Sequence, residues 1–412
     1  MVLICGALYT WPAAAGPLTL GEAFQRAERA NPTLRQARAE LQAAHGALKD
    51  TQGWFWNNPE IFTDVRNRDV TEADQSDNNF EETIGLSQTF ELAGQQGARR
   101  DTAQAGVAAT RQEILEIRRQ IRTEVEGAFV QVLSLQQRIR AELETLRLIE
   151  EAARAVSMRV EAGKDSPLQA NLAEVEAERA RNQVALLREE LTEARATLAA
   201  LLQLAANRLP RVTGSLEPAP ASYSLEALLE SAANRPGLRA LQHRVEAATS
   251  QLELQRKQVY PDLTVGLSRG REVSIAGDDE IIGLNFSVPI PLFRRNATGI
   301  AQAATELTQT SIERQAVYRN VRAQVIALWR QLESLGARVT RLRQSIGPRL
   351  EENLRLSTAS YQAGEIGITE LLLVNRQTLD GRRDLLDAAT GLRLTKSRLE
   401  AAAGWPIDGG AR

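Results

Sequence analysis

The chain has 412 residues, only 4% of them aromatic, and Ala, Leu, Glu, Arg and Gln dominate it. This is the composition of long helices and coiled coils and argues against several compact globular domains. The net charge of −2 comes from 50 basic and 52 acidic residues interleaved along the chain, which describes solvated helix faces and excludes a clustered nucleic-acid-binding surface. One Cys, two His and two Met cannot build a disulfide framework or a Cys/His metal cluster, so neither a resident metal nor a cofactor is expected. His45 and His243 fall within helical patterns and read as ordinary helix residues.

Residues 1–16, MVLICGALYTWPAAAG, read as a signal peptide with a truncated start: an apolar run ends in Ala13-Ala14-Ala15, but no basic segment precedes it. Cys5 follows Ile4 where a lipoprotein signal needs a small residue, which argues against a lipid anchor. No run of about 20 apolar residues occurs, so no helix is expected to span a bilayer.

The rest of the chain is an internal duplication, with 17–215 as the first copy, 216–405 as the second and 406–412 as a tail. LTLGEAFQRAERANPTLRQA (from Leu18) matches YSLEALLESAANRPGLRALQ (from Tyr223), pairing Glu22 with Glu226, Pro32 with Pro236 and Leu34 with Leu238. Each copy reads as helix, strand pair, long helix, break and helix.

Strands are expected at about 60–66, 81–90, 261–269 and 280–289. ETIGLSQTF, PDLTVGLS and IIGLNFSV each place apolar side chains on one face; EIFTDV is the least clear. Segments of about 9–11 residues with one apolar face fit transmembrane β-strands. Residues 68–80 and 269–280 read as polar loops. Trp54 and Trp56 before the first strand and Tyr260 before the third suit a membrane–water interface.

An open sheet edge in hydrocarbon leaves backbone groups unsatisfied, so a membrane sheet must close into a barrel. The smallest barrels need about eight strands and one chain supplies four. Several chains must therefore share one barrel, and three copies make a 12-stranded one.

The long helices run from Leu92 to Gly163 and from about Arg294 to Ala363, with a kink expected at Gly347-Pro348. Ile121, Val125, Val132, Leu135, Ile139, Leu143, Leu146, Ile149, Val156 and Val160 form a heptad-like seam. About 70 helical residues span roughly 100 Å. Each long helix ends at a break, VEAGKDSPLQ (160–169) and YQAGEIGITE (361–370). Gly163 and Gly364 suit left-handed helix ends. Ser166-Pro167-Leu168-Gln169 reads as a capping box with proline at N1, and Gly367 as an N-cap with Glu370 at N3. Lys164, Asp165 and Glu365 read as exposed turn residues.

Taken in this order, the repeat openings, the strand-exit segment VPIPLFRRNATGIAQA (288–303) and the two breaks resemble the TolC-like outer membrane factor family over essentially the whole mature chain. The exit segment is most like the cobalt–zinc–cadmium (CzcC-type) branch. The resemblance implies a fold that is mainly α with a small β part: a trimeric 12-stranded outer-membrane β-barrel continued by a periplasmic α-helical barrel. It implies a passive exit channel, not an enzyme, in the outer membrane of a Gram-negative bacterium. Its partners would be its own copies in a homotrimer, outer-membrane lipid, a periplasmic adaptor and an inner-membrane RND pump, with no nucleic acid. Divalent heavy metals are the implied cargo; drug efflux or type I protein secretion are alternatives within the family, and a soluble coiled-coil scaffold is the alternative outside it.

The resemblance also makes each break a hairpin tip at the periplasmic entrance. Glu370 falls on an entrance acid and Tyr361 on a residue that helps hold the tip closed, while Lys164, Asp165 and Glu365 become possible adaptor contacts. Leu373 and Ile366 stand where some relatives carry charge, and Gln169 matches Glu370 in the first copy, so a gate with one acid per chain is expected.

Overall fold

Alanine- and leucine-rich seams build nine α-helices among the described residues, and alternating segments build one antiparallel sheet. The computed structural model describes residues 17–72, 75–205, 207–218, 223–274 and 277–405; the expected signal peptide and the tail lie outside them. In chain order the first copy comprises α1 (Leu20–Ala30), α2 (Pro32–Asp50), β1 (Glu60–Glu72), β2 (Gln75–Phe90), α3 (Gln95–Glu161) and α4 (Pro167–Leu201). The second comprises α5 (Leu225–Ala233), α6 (Pro236–Lys257), β3 (Leu263–Ser274), β4 (Gly277–Ser287), α7 (Ala297–Arg341), a π turn (Leu342–Ile346), α8 (Gly347–Ala363) and α9 (Ile368–Ala402). The chain divides into one unit of Met1–Arg35, Ile117–Arg235 and Asn320–Arg412 and another of Gln36–Glu116 and Pro236–Arg319.

The second unit holds the sheet, ordered β1-β2-β3-β4. One row across all four strands is Ile61, Leu86, Leu267 and Leu284, and the next is Thr63, Ile84, Arg269 and Ile282. Their leucines and isoleucines are exposed, from 50% at Leu86 to 77% at Ile282. The opposite face carries Phe62, Gly85, Ser268 and Gly283 in one row and Ser87, Gly266 and Asn285 in another. This is the two-faced pattern of a barrel wall, apolar towards lipid and small or polar towards a lumen. Gly85 leaves the space that the Phe62 ring fills. The strands also run through the segments read as loops, β1 to Glu72 and β2 from Gln75, β3 to Ser274 and β4 from Gly277. Charged residues there face each other across the ladder: Arg271 opposes Glu280, and Arg269 meets Glu280 at 2.7 Å. Such pairs stabilise a ladder in segments too rich in charge to read as strands.

The first unit holds α3 from Ile117 onward with α4, and α8 with α9, each pair a helical hairpin. α1 is closed by a capping box: the Thr19 N–H donates to the Glu22 carboxylate (2.9 Å) and the Glu22 N–H to the Thr19 hydroxyl (3.4 Å). The α3 seam follows the expected phase at Ile121, Val125, Val132, Leu135, Ile139, Ile149 and Val156, all buried. Leu143 departs from it, being 38% exposed, while Glu142 and Thr145 are buried in its place. The helix turns that stretch of seam towards α9, where Arg383 neutralises Glu142 at 2.6 Å.

Candidate functional site

Both hairpin turns use the same backbone device. At the end of α3 the Lys164 N–H donates to the Arg159 carbonyl (2.8 Å) and the Gly163 N–H to that of Val160 (2.9 Å). At the end of α8 the Glu365 N–H donates to the Ser360 carbonyl (2.8 Å) and the Gly364 N–H to that of Tyr361 (3.1 Å). Gly163 and Gly364 sit at φ of +69° and +79°, the left-handed geometry of a Schellman turn, which glycine adopts without steric cost. The same bond pair closes α4 at Gln203 and Leu204, and α9 at Gly404 and Trp405.

The restarts differ from the expected capping. Ser166 is the N-cap of α4 and Pro167 follows at N1, but the serine side chain makes no capping bond. The Gln169 N–H that it would accept is bonded to the Ser166 backbone carbonyl instead (3.0 Å), so the capping box does not form. Gly367 is the N-cap of α9 and offers no side chain. Glu370 lies in the first turn of α9, exposed and without a hydrogen bond or ion pair among the described residues. Its local effect reduces to a carboxylate near the positive end of a helix.

Side chains tie each turn across itself. Arg159 pairs with Asp165 (2.7 Å) in the first, and the Ser360 hydroxyl donates to Glu365 (3.0 Å) in the second. Asp165 is therefore a half-buried strut and is not the exposed residue expected; Lys164 and Glu365 are exposed. Tyr361 packs with Val160 on a cluster of Ala152, Ala153, Val156, Ala173, Ile368 and Leu371, which joins the two hairpins. Its hydroxyl is buried without a hydrogen-bond partner. Burial pushes the phenol up, helped by Asp165 and opposed by Arg159.

Beyond the tips, α3, α4 and α9 enclose a groove of about 370 Å³ whose lining includes Glu142, Leu172, Glu176, Leu372, Arg376 and Arg383. Arg376 holds both Glu176 oxygens at 3.0 Å. The Glu142 hydrogen bond raises the Arg383 pKa. Sequence reasoning missed Arg159, Glu142 and Arg383; the one available signal was a glutamate three residues after Ile139, in the buried phase of the seam.

In the second unit, Trp54 is 92% exposed and Tyr260 is 63% exposed. Trp56 instead lies under the Arg99 guanidinium, 3.7 Å from the ring centre, and Arg99 is held by Glu91 at 3.0 and 2.9 Å. Phe55 meets Phe90 edge to face at 5.1 Å. Ile290, Leu292 and Phe293 add exposed apolar surface after β4.

A four-stranded sheet with two open edges and one lipid-type face, in a duplicated chain of long helical hairpins, defines one subunit of an outer-membrane channel. The sequence pattern of the Outer membrane efflux protein family matches residues 23–203 and 227–405, and the chain belongs to that family. Its strands therefore lie in the outer membrane and its helical part reaches into the periplasm. It is 27% identical over 369 residues to the cobalt-zinc-cadmium resistance protein CzcC of Cupriavidus metallidurans, covering 90% of this chain and 86% of CzcC. It is 25% identical over 366 residues to the pyoverdine export outer membrane protein OpmQ of Pseudomonas putida, covering 84% of this chain and 75% of OpmQ. The crystal structure of the outer membrane protein VceC from Vibrio cholerae superposes with a TM-score of 0.75, covering 93% of this chain and 96% of VceC. At 19% identity that likeness establishes the fold alone.

Proposed function

We propose that this protein is the outer-membrane exit duct of a tripartite efflux system that exports divalent heavy-metal cations. The observation that carries the cargo is the near-full-length similarity to a cobalt–zinc–cadmium resistance protein. Three copies would close the 12-stranded barrel, because each chain leaves β1 and β4 with a free edge. A periplasmic adaptor and an inner-membrane RND pump would supply the energy, and the duct itself performs no chemistry. The similarity to a pyoverdine exporter supports a second reading, an organic cargo. Deletion of the gene followed by growth on cobalt, zinc, cadmium and a dye panel separates the two: metal sensitivity alone supports the first, dye sensitivity alone the second.

The hairpin tips are the periplasmic entrance in this reading. Among the described residues Glu370 has no hydrogen-bond or ion-pair partner, so its carboxylate is available to a pore, and a ring of such carboxylates attracts cations. Tyr361 would hold the tip closed through its packing on the cluster that joins the two hairpins, while Lys164 and Glu365 would face the adaptor. In planar bilayers Glu370→Gln is expected to lower cation preference and alter single-channel conductance. Unchanged conductance and selectivity would reject the gate role.

A further inference from the structure

The two faces of the sheet differ in relief as well as polarity. The two apolar rows, from Ile61 to Leu284 and from Thr63 to Ile282, contain no glycine. On the opposite face Gly85, Gly266 and Gly283 each lie beneath a side chain from the neighbouring strand. The closest of these contacts involves Phe62 of β1, which stands directly across the ladder from Gly85 of β2. A Cβ built on Gly85 would come within 2.7 and 2.9 Å of the two Cε atoms of the Phe62 ring, and closer still to Cζ. The ring is therefore laid across β2, with Gly85 buried and Phe62 half-buried. Towards the end of the sheet remote from the helices the wall continues with Asp64, bonded to Arg66 at 2.8 Å, so the ring finds no second seat in that direction.

Glycine in a strand interior weakens it and marks a close approach, and an aromatic ring packed across the glycine offsets part of that loss. Packing alone does not account for the confinement of these glycines to one face. That face is the small, polar one, and Phe62 is its one aromatic residue among the described strands.

We propose that Gly85 keeps the outer part of the channel wide by seating Phe62 against the wall. In a barrel closed by three chains the three rings stand at one height, and while seated they leave the lumen clear. A side chain at residue 85 takes the seat, and the rings then stand off the wall into the path of the cargo. The contact rests on the sheet geometry alone; its place in a pore rests on the reading that three copies close the barrel.

Thiol labelling of the full-length protein in intact cells tests this, with Cys5→Ser as the background and Ser87→Cys as the probe. Ser87 shares the face of Gly85 and lies two residues nearer the helical end, so a reagent added outside passes the level of Phe62 before reaching it. Poly(ethylene glycol) maleimides of increasing mass report the width. Gly85→Ala should slow the largest reagent that labels the parent by about tenfold and leave the smallest unchanged. Adding Phe62→Ala should restore the parent rate, which general damage to β2 would not allow. Phe62→Ala alone should label as the parent does, because a seated ring obstructs nothing; this arm needs no change at Gly85. Equal rates in Gly85→Ala and the parent overturn the proposal, as do slow labelling that persists without Phe62 and faster labelling in Phe62→Ala alone. A Leu86→Cys probe on the apolar face that labels from outside while Ser87→Cys does not rejects the barrel reading itself, and with it the role in the pore.

Discussion

Replacing Arg383 with alanine removes the counter-ion from a carboxylate that has almost no access to water. The Glu142 side chain is 4% exposed and lies 2.6 Å from Arg383, which is itself 35% exposed and also bonds Asp380 at 3.1 Å. Breaking a buried pair from one side costs about 3–5 kcal/mol, because the remaining charge is stranded. Water at the arginine end and the second pairing put the expected loss near the lower limit, about 3 kcal/mol. Adding Glu142→Leu removes the stranded charge and installs the residue type that the second copy carries at the matching position, Leu342. The double variant should lie within about 1.5 kcal/mol of the parent, a coupling of roughly 1.5 kcal/mol or more. Urea unfolding of the detergent-solubilised protein, followed by helical circular dichroism, measures all four members of the cycle. A single Arg383→Ala variant within about 0.5 kcal/mol of the parent, or no recovery on adding Glu142→Leu, would refute the reasoning.

Other consequences are open to the same assay. Nothing lies within 4 Å of a Cβ built at Gly163 or Gly364, so alanine there should cost only the left-handed strain, about 1–2 kcal/mol. Gln203 already holds φ +52°, and Gln203→Gly should be neutral to stabilising by up to about 1 kcal/mol; clear destabilisation would contradict the cap assignment. Burial holds the Glu400 carboxyl above its ordinary 4.5, with Lys396 and the Tyr223 hydroxyl opposing the shift. The folded state therefore keeps a proton that the unfolded chain has released. The stability from this group is present below about pH 4.5 and is lost as the pH rises through the higher folded value. Thermal midpoints across pH 4 to 8 should fall more for the parent than for Glu400→Gln, and parallel curves would count against it.

Much of this protein was legible in the sequence because its signals are periodic and repeated. The heptad seam, the alternation in IIGLNFSV and the twin glycine breaks each have one physical solution, and their duplication cross-checks them. The closure argument needed only a strand count, since backbone groups in hydrocarbon must pair. Strand length was not legible: where Arg271 and Glu280 continue the ladder, stability comes from a cross-strand partner that a linear reading takes for a loop.

At the tips, sequence determined where the helices stop, because a left-handed residue without a Cβ is a local requirement. It did not determine what the side chains do there. The Ser166 hydroxyl had a capping role within the chain's own logic, yet the backbone carbonyl took its target. Asp165 looked exposed until Arg159, one helical turn away through a reversed chain, came within 2.7 Å. Glu142 looked like an intruder in an apolar seam until α9 brought Arg383 against it. Local backbone preference and periodicity can be read from one strand of text; which charges pair, and which residues share a buried face, depend on the packing of helices far apart in the chain.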